Sequence, residues 1–241
     1  MENLDGLSGP RERLPERRRA LVLLLGLFLT HVTIWTGLVY LAPGTDRVSF
    51  EYLGDQSTPW IRQFVLPLIA VLVFHLATIT HLRWWGPVLR DTSRTKRQWL
   101  WIPVGGFIAA ALIGAVMQSG WTAAGWSYTA GLTMTVLLVG ICEELAFRGF
   151  LLVGARRIFA REWQAMLFSS ALFGLFHLPN TLLGSPLAFE LVHVVQTALI
   201  GIVFYVLRRL SGRLVLPIAI HAIWDLVVLQ TQWNALSLLV G

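Results

Sequence analysis

Charge and cysteine are both scarce in this chain. Only 13% of its 241 residues are charged, whereas 56% are hydrophobic, and the mean hydropathy is +0.66. A water-soluble domain of this length needs a far more charged surface, so that class of protein is excluded. The single cysteine, Cys142, excludes an internal disulfide bond and any metal site built from several cysteines. The chain also lacks the alternation of polar and apolar residues that a transmembrane β-barrel requires.

What the sequence has is a series of long apolar runs, each near the length of about 20 residues that a helix needs to cross a bilayer. These runs predict an all-α, polytopic transmembrane bundle with about seven spans, at 20–42, 61–81, 99–118, 127–155, 163–180, 187–208 and 213–232. A break in the fourth run, or a short segment near the carboxyl end, would raise the count to eight. The predicted parts are a basic tail at 1–19, N-terminal helices at 20–118, a second set of helices at 125–232 and a tail at 233–241.

The net charge of +6 is compatible with a nucleic-acid partner, but the positions of the basic residues indicate a different role. Of the 19 basic residues 18 are arginines, and they lie in the tail and loops that flank the apolar runs. Basic and non-basic connections alternate along the chain, as expected when cytoplasmic loops carry the excess of Arg and Lys. We therefore expect the lipid bilayer and no nucleic acid as a partner, with the amino terminus in the cytoplasm.

Three acidic residues lie inside apolar runs, namely Glu143, Glu144 and Asp225. A charged side chain at the centre of a span costs at least about 2.5 kcal/mol, so each is a functional candidate. Arg148 follows Glu144 by four residues, and the two can pair on one helix face. Glu143 points about 100° away from that face. We expect Glu144 and Arg148 to form a structural clamp and Glu143 to remain for chemistry, although both glutamates could instead hold Arg148.

Two histidines have neighbours that suggest chemistry. The stretch "FGLFH" ends at His177, one turn after Phe173, and "HAIWD" places His221 and Asp225 on one helix face. A carboxylate at that spacing can fix the tautomer of the imidazole. On straight helices His177 and His221 would differ in depth by roughly 9 Å, so the site closes only if helices tilt or are offset. The other histidines fit ordinary hydrogen bonding between helices: His31, His75, His81 and His193.

A carboxylate beside an imidazole can polarise a water molecule for attack on a carbonyl carbon. A second imidazole with a neighbouring donor can stabilise the oxyanion that forms. This chemistry needs no nucleophilic serine. The residues together therefore favour a peptide-bond hydrolase that works inside the membrane through a glutamate-activated water.

Three motifs carry a resemblance to a known family. "EELAFR" fits EExxxR, "FGLFH" fits FxxxH and "HAIWD" fits HxxxN/D, in the order found in the CPBP family. These are the CAAX proteases and bacteriocin-processing enzymes, also called ABI or Rce1-like glutamic intramembrane proteases. The resemblance covers about residues 125–232, which it identifies as the catalytic core.

The resemblance implies a role for each motif residue. Glu143 would be the general base, His177 would help to activate the water, and His221 with Asp225 would line the oxyanion side. The supporting residues would be Glu144, Arg148 and Phe173. It also implies no metal cofactor, a peptide or protein substrate that is prenylated or otherwise membrane-anchored, and a bacterial plasma membrane. Well-studied members carry Asn where this chain has Asp225; an ionised aspartate cannot donate to an oxyanion, so it must be protonated or orient a cationic His221.

Other functions stay open at this stage. A zinc hydrolase could use Glu143, His177 and His221 as ligands, but the absence of an HExxH helix disfavours it. An enzyme built on Cys142 is less favoured, because neighbouring carboxylates do not stabilise a thiolate. A non-catalytic membrane protein, such as a bacteriocin-immunity factor or a chaperone, could keep the same residues, and a proton-coupled transporter could use them as a relay.

Overall fold

The computed structural model describes residues 14–41, 64–117 and 126–240, which contain helices and no β-strand. In chain order the helices are α1 (Leu14–Leu41), α2 (Leu66–Leu82), α3 (Trp85–Leu89), α4 (Trp101–Met117), α5 (Trp126–Glu144), α6 (Leu152–Ile158), α7 (Glu162–Leu175), α8 (Leu187–Ser211) and α9 (Val215–Val240). The all-α membrane bundle that the sequence predicts is confirmed. Most of the predicted basic tail lies outside the described residues, and α9 continues through residues 233–240 of the predicted carboxyl-terminal tail.

Within the described ranges, four helical segments are long and apolar enough to cross a bilayer: Glu16–Leu41, Gln98–Met117, Glu162–Leu183 and Leu187–Ser211. Two shorter apolar helices accompany them, Leu66–Leu82 and Val215–Leu229. These six correspond to six of the seven predicted spans. The total of seven, the cytoplasmic amino terminus and the division of the chain into parts stay predictions.

The remaining predicted span, 127–155, is not one continuous α-helix. After α5 ends at Glu144 the chain enters a π-helical turn, Leu145–Leu151, in which Gly149 leaves the helical conformation with φ −77° and ψ −110°. Every residue of this turn is buried. Turns of this kind widen a helix locally and occur frequently at functional sites. The break therefore begins directly after the paired glutamates and includes Arg148.

The helices α7 and α8 approach each other closely at Gly174. A Cβ at this position would meet the carbonyl oxygen of Val194, and the Cβ of Ala198 at 2.9 Å. Small residues allow helix backbones to approach each other in this way inside membranes. Because Gly174 precedes His177 by three residues and Val194 directly follows His193, this backbone contact fixes where the two imidazoles meet.

An ionic network joins the connections at one end of the bundle. Arg156 in α6 pairs with Asp91 at 2.9 Å and with Glu162 at 2.7 Å, and Arg209 in α8 pairs with Glu162 at 2.7 Å. Burial alone would raise the pKa of Asp91, but the charge and hydrogen bonds of Arg156, with a hydrogen bond from Ser93, hold it below its ordinary value. The network thus ties the loop after α3 to α6, α7 and α8.

Substitution of Gly174 tests the close approach of α7 and α8. We expect Gly174→Ala to destabilise the protein by roughly 1–3 kcal/mol, because the added methyl group has to displace the backbone of α8. The control is Gly105→Ala in α4, where a Cβ meets nothing within 4 Å. Thermal unfolding in detergent should separate the two variants, and equal Tm values would contradict this packing.

Candidate active site

Three carboxylates converge on the imidazole of His221 in α9. Its Nδ1 lies 2.9 Å from Oε1 of Glu144, while its Nε2 lies 3.6 Å from Oε2 of Glu143 and 3.5 Å from Oδ2 of Asp225. An ionised carboxylate can only accept a hydrogen bond, so Nδ1 donates to Glu144 and carries a proton. The other nitrogen, Nε2, is left facing Glu143 and Asp225. The spacing of His221 and Asp225 predicts their proximity, but the approach of both glutamates is visible only in the fold.

The contact between Glu144 and Arg148 expected from their i,i+4 spacing is present. Nη1 of Arg148 donates to Oε1 of Glu144 at 2.7 Å, and the two side chains are 1% and 0% exposed. The guanidinium also lies over the rings of Phe173, at 4.1 Å, and Phe204, at 5.1 Å. Such stacking stabilises a cation that has no water around it. Phe173 therefore contacts Arg148, which in turn donates to Glu144.

His177 stands where α7 gives way to a 3₁₀ segment, Leu178–Leu183. Its Nδ1 lies 2.9 Å from the carbonyl oxygen of Phe173. A carbonyl only accepts, so Nδ1 donates and Nε2 is the nitrogen available to a substrate or water. Among the described residues no hydrogen bond joins His177 to Glu143, the residue with which the family resemblance implies that it shares a water. The direct neighbour of Glu143 is His221 instead.

A cavity of about 280 Å³ brings these groups together. All four predicted catalytic residues line it: Glu143, His177, His221 and Asp225. The depth difference expected for straight helices does not keep His177 and His221 apart. Part of the wall is apolar and comes from α1, α2 and the residues before it, including Trp35, Val39, Phe64, Leu68 and Val71. Another part is polar and comes from the 3₁₀ segment through α8: Asn180, Ser185, Glu190, His193 and Gln196.

The pair Glu190 and His193 on this wall is not among the candidates predicted from the sequence. Glu190 falls near the start of an apolar run, where acidic residues usually meet water, but it is only 2% exposed. Its Oε2 lies 3.1 Å from Nδ1 of His193. The i,i+3 spacing of a carboxylate and an imidazole was the signal that could have revealed them.

His31 and His75, for which the sequence predicts hydrogen bonds between helices, make ring contacts with each other. The rings of His31 and His75 meet edge to face with centroids 4.7 Å apart, and both are buried. Neither nitrogen of His75 has a hydrogen-bond partner in the described part of the chain. These two imidazoles thus join α1 and α2 through ring contacts, with His31 also packed on Phe147 and Phe176.

The positions of the possible metal-ligating side chains can be compared with what a zinc hydrolase would require. In the part of the chain that the structure describes, no three His, Cys, Asp or Glu side chains are grouped as ligands of one metal ion. His177 and His221 each have Nδ1 engaged, with Phe173 and Glu144 respectively, so that Nε2 is the ring nitrogen left for another partner. Metal independence stays a prediction.

Comparison with known proteins places these residues in a family context. The family model described as type II CAAX prenyl endopeptidase Rce1-like matches residues 124–227. The matched range begins just before α5, ends within α9 and contains all three motifs. No curated protein and no solved structure gives a significant match to the chain.

Replacement of Glu144 by glutamine tests the clamp. The variant removes the carboxylate that is hydrogen-bonded to the buried guanidinium of Arg148, and removal of one partner from such a pair costs about 3–5 kcal/mol. We expect Glu144→Gln to lower Tm and membrane abundance. Glu143→Gln is the matched control, because its carboxylate makes no hydrogen bond to another described residue. Similar unfolding temperatures for the two variants would show that the glutamates do not differ in this way.

Proposed function

We propose that this integral membrane protein is an intramembrane endopeptidase of the glutamic type, because residues 124–227 match the family model of the Rce1-like proteases. The family supports protease activity in general. The finer proposal rests on one observation, the convergence of Glu143, Glu144 and Asp225 on His221 at the edge of a cavity that His177 also lines. A carboxylate and two imidazoles around a cavity are the groups that hydrolysis by an activated water requires.

In this proposal Glu143 is the general base. Its side chain is 10% exposed and faces the cavity, and its Oε2 has no hydrogen-bond partner among the described residues. A water in the cavity donates one hydrogen to the carboxylate of Glu143 and the other to Nε2 of His177. Its oxygen then attacks the carbonyl carbon of the scissile peptide, and Glu143 takes the proton. When the tetrahedral intermediate collapses, the C–N bond breaks and Glu143 returns the proton to the leaving amine.

His221 stabilises the oxyanion. With Nδ1 donating to Glu144, a protonated Nε2 offers its hydrogen to the developing negative charge. The imidazolium that this requires is stabilised by the carboxylates around it, including Asp225 at 3.5 Å. An ionised Asp225 therefore has a function without donating a hydrogen bond, because it orients a cationic His221. This accounts for aspartate at a position where asparagine also occurs.

The substrate in this proposal is a membrane-anchored peptide. The apolar wall from α1 and α2 suits a hydrocarbon chain or an apolar segment, while the polar wall offers hydrogen-bonding groups to a peptide backbone. The family description names CAAX prenyl endopeptidases, so a prenylated CAAX peptide is the first substrate class to test.

Comparison of membranes that carry wild-type protein or Glu143→Ala should reveal the substrate. We expect at least one amino terminus created by cleavage to be present in wild-type membranes and absent from those of the variant, because cleavage depends on Glu143. The measurement is mass spectrometry of peptide termini, with immunoblotting to show that both proteins are equally abundant. The non-catalytic alternative would be favoured if Glu143→Ala fully complements the phenotype of a deletion strain and the peptide termini do not change.

Chelation tests the metal-independent part of the proposal. We expect purified wild-type protein to cleave the peptide found in that comparison equally well before and after treatment with a strong zinc chelator, since Glu143 and the histidines supply the chemistry. The cleavage rate is followed by chromatography. Loss of activity on chelation, with recovery on addition of zinc, would replace this mechanism with that of a zinc hydrolase.

A further inference from the structure

A second carboxylate–imidazole pair lines the cavity beside the proposed catalytic groups. Glu190 lies in the first turn of α8 and is 2% exposed, and its Oε2 is 3.1 Å from Nδ1 of His193. A carboxylate buried at the start of an apolar span is costly unless it is paired. The mechanism assigns no role to either residue. Because both residues line the cavity, we looked for a role of this pair other than the stability of α8.

The ring of His193 lies directly against that of His177. The two centroids are 4.8 Å apart and the ring planes are inclined by 66°. The rings of Phe173 and Phe176 flank His177 on other sides, each with its centroid 5.3 Å away. His177 is thus held by aromatic contacts and by the hydrogen bond from its Nδ1 to the carbonyl oxygen of Phe173. Among these neighbours, His193 has a ring nitrogen within hydrogen-bonding distance of a buried carboxylate, that of Glu190.

The backbone explains why His193 reaches His177. The close approach of α7 to α8 at Gly174 sets the two helices in a register that brings the imidazoles together. The hydroxyl of Thr197 donates to the carbonyl oxygen of His193 at 2.7 Å, one turn further along α8. What remains adjustable is the rotation of the His193 ring about its own side-chain bonds. The hydrogen bond to Glu190 restrains this rotation, together with a contact from the ring of Phe189, whose centroid is 5.9 Å away.

We propose that Glu190 and His193 are positioning residues for His177. Glu190 accepts a hydrogen bond from Nδ1 of His193 and holds that ring in place. The ring then packs against His177 so that its Nε2 faces the cavity where the attacking water binds. This inference rests on the proposed function, in which His177 binds that water. A displacement of a catalytic group by about 1 Å can lower a rate 100-fold, so the orienting bond has a measurable effect.

The test is a double-mutant cycle between Glu190 and His177, measured with a synthetic peptide that spans the cleavage site found in membranes. Glu190→Met removes the acceptor and retains an apolar side chain of similar length. We expect kcat to fall by about 10- to 100-fold with little change in KM. Glu190→Gln keeps an oxygen that can accept from Nδ1, and it should restore most of the wild-type rate. Thermal unfolding of each variant shows how much of each loss comes from instability.

The His177→Ala background distinguishes positioning from a structural role. If Glu190 acts through His177, Glu190→Met lowers the single-turnover rate of His177→Ala by less than about twofold, because nothing remains to be positioned. An equal loss in both backgrounds, or the same loss for Glu190→Gln as for Glu190→Met, overturns the inference and leaves the proposed function intact. Wild-type activity in His177→Ala overturns both, since the proposed mechanism assigns the water to that residue.

Discussion

The arrangement of the site depends on a single oxygen atom, Oε1 of Glu144. It accepts a hydrogen bond from Arg148 at 2.7 Å and another from His221 at 2.9 Å, in surroundings that exclude solvent. The first bond neutralises a guanidinium inside the bundle, and the second ties the end of α5 to α9. An unpaired charge at this place would cost several kcal/mol. The carboxylate of Glu144 therefore stabilises the buried guanidinium of Arg148, and the hydrogen bonds from Arg148 and His221 stabilise the buried carboxylate. Once Glu144 is held in this way, Glu143 faces the cavity and Nε2 of His221 faces Glu143 and Asp225.

Much of this could be predicted from the sequence, because helices in lipid and i,i+4 contacts follow from local rules. The apolar runs predict the all-α bundle, and the spacing of Glu144 and Arg148 predicts their contact. Contacts between helices could not be predicted in the same way. The family resemblance pairs His177 with Glu143, whereas the imidazole that lies next to Glu143 is that of His221, because the meeting of α5 and α9 depends on tertiary packing. The π-helical turn was also missed, since Leu145–Leu151 continues the apolar pattern without a break.

Glu190 and Asp91 show a different limit of sequence reasoning. Both occur at or beyond the end of an apolar run, where acidic residues usually meet water, and both are buried in the fold. Their partners, His193 and Arg156, explain why burial is tolerated. One pair lies at the cavity and the other at the end of the bundle. Proximity to the cavity, which no sequence pattern reveals, is what separates a candidate functional pair from a structural one.

The central claim is that Glu143 activates water while Glu144 holds the site together. The most direct measurement is the steady-state cleavage rate of purified, membrane-reconstituted Glu143→Gln relative to wild-type protein, with Tm recorded for the same samples. This account predicts that kcat/KM falls at least about 100-fold while Tm is unchanged, because glutamine cannot accept the proton of the attacking water. A folded Glu143→Gln variant that cleaves the peptide at a rate close to that of the wild type would contradict it.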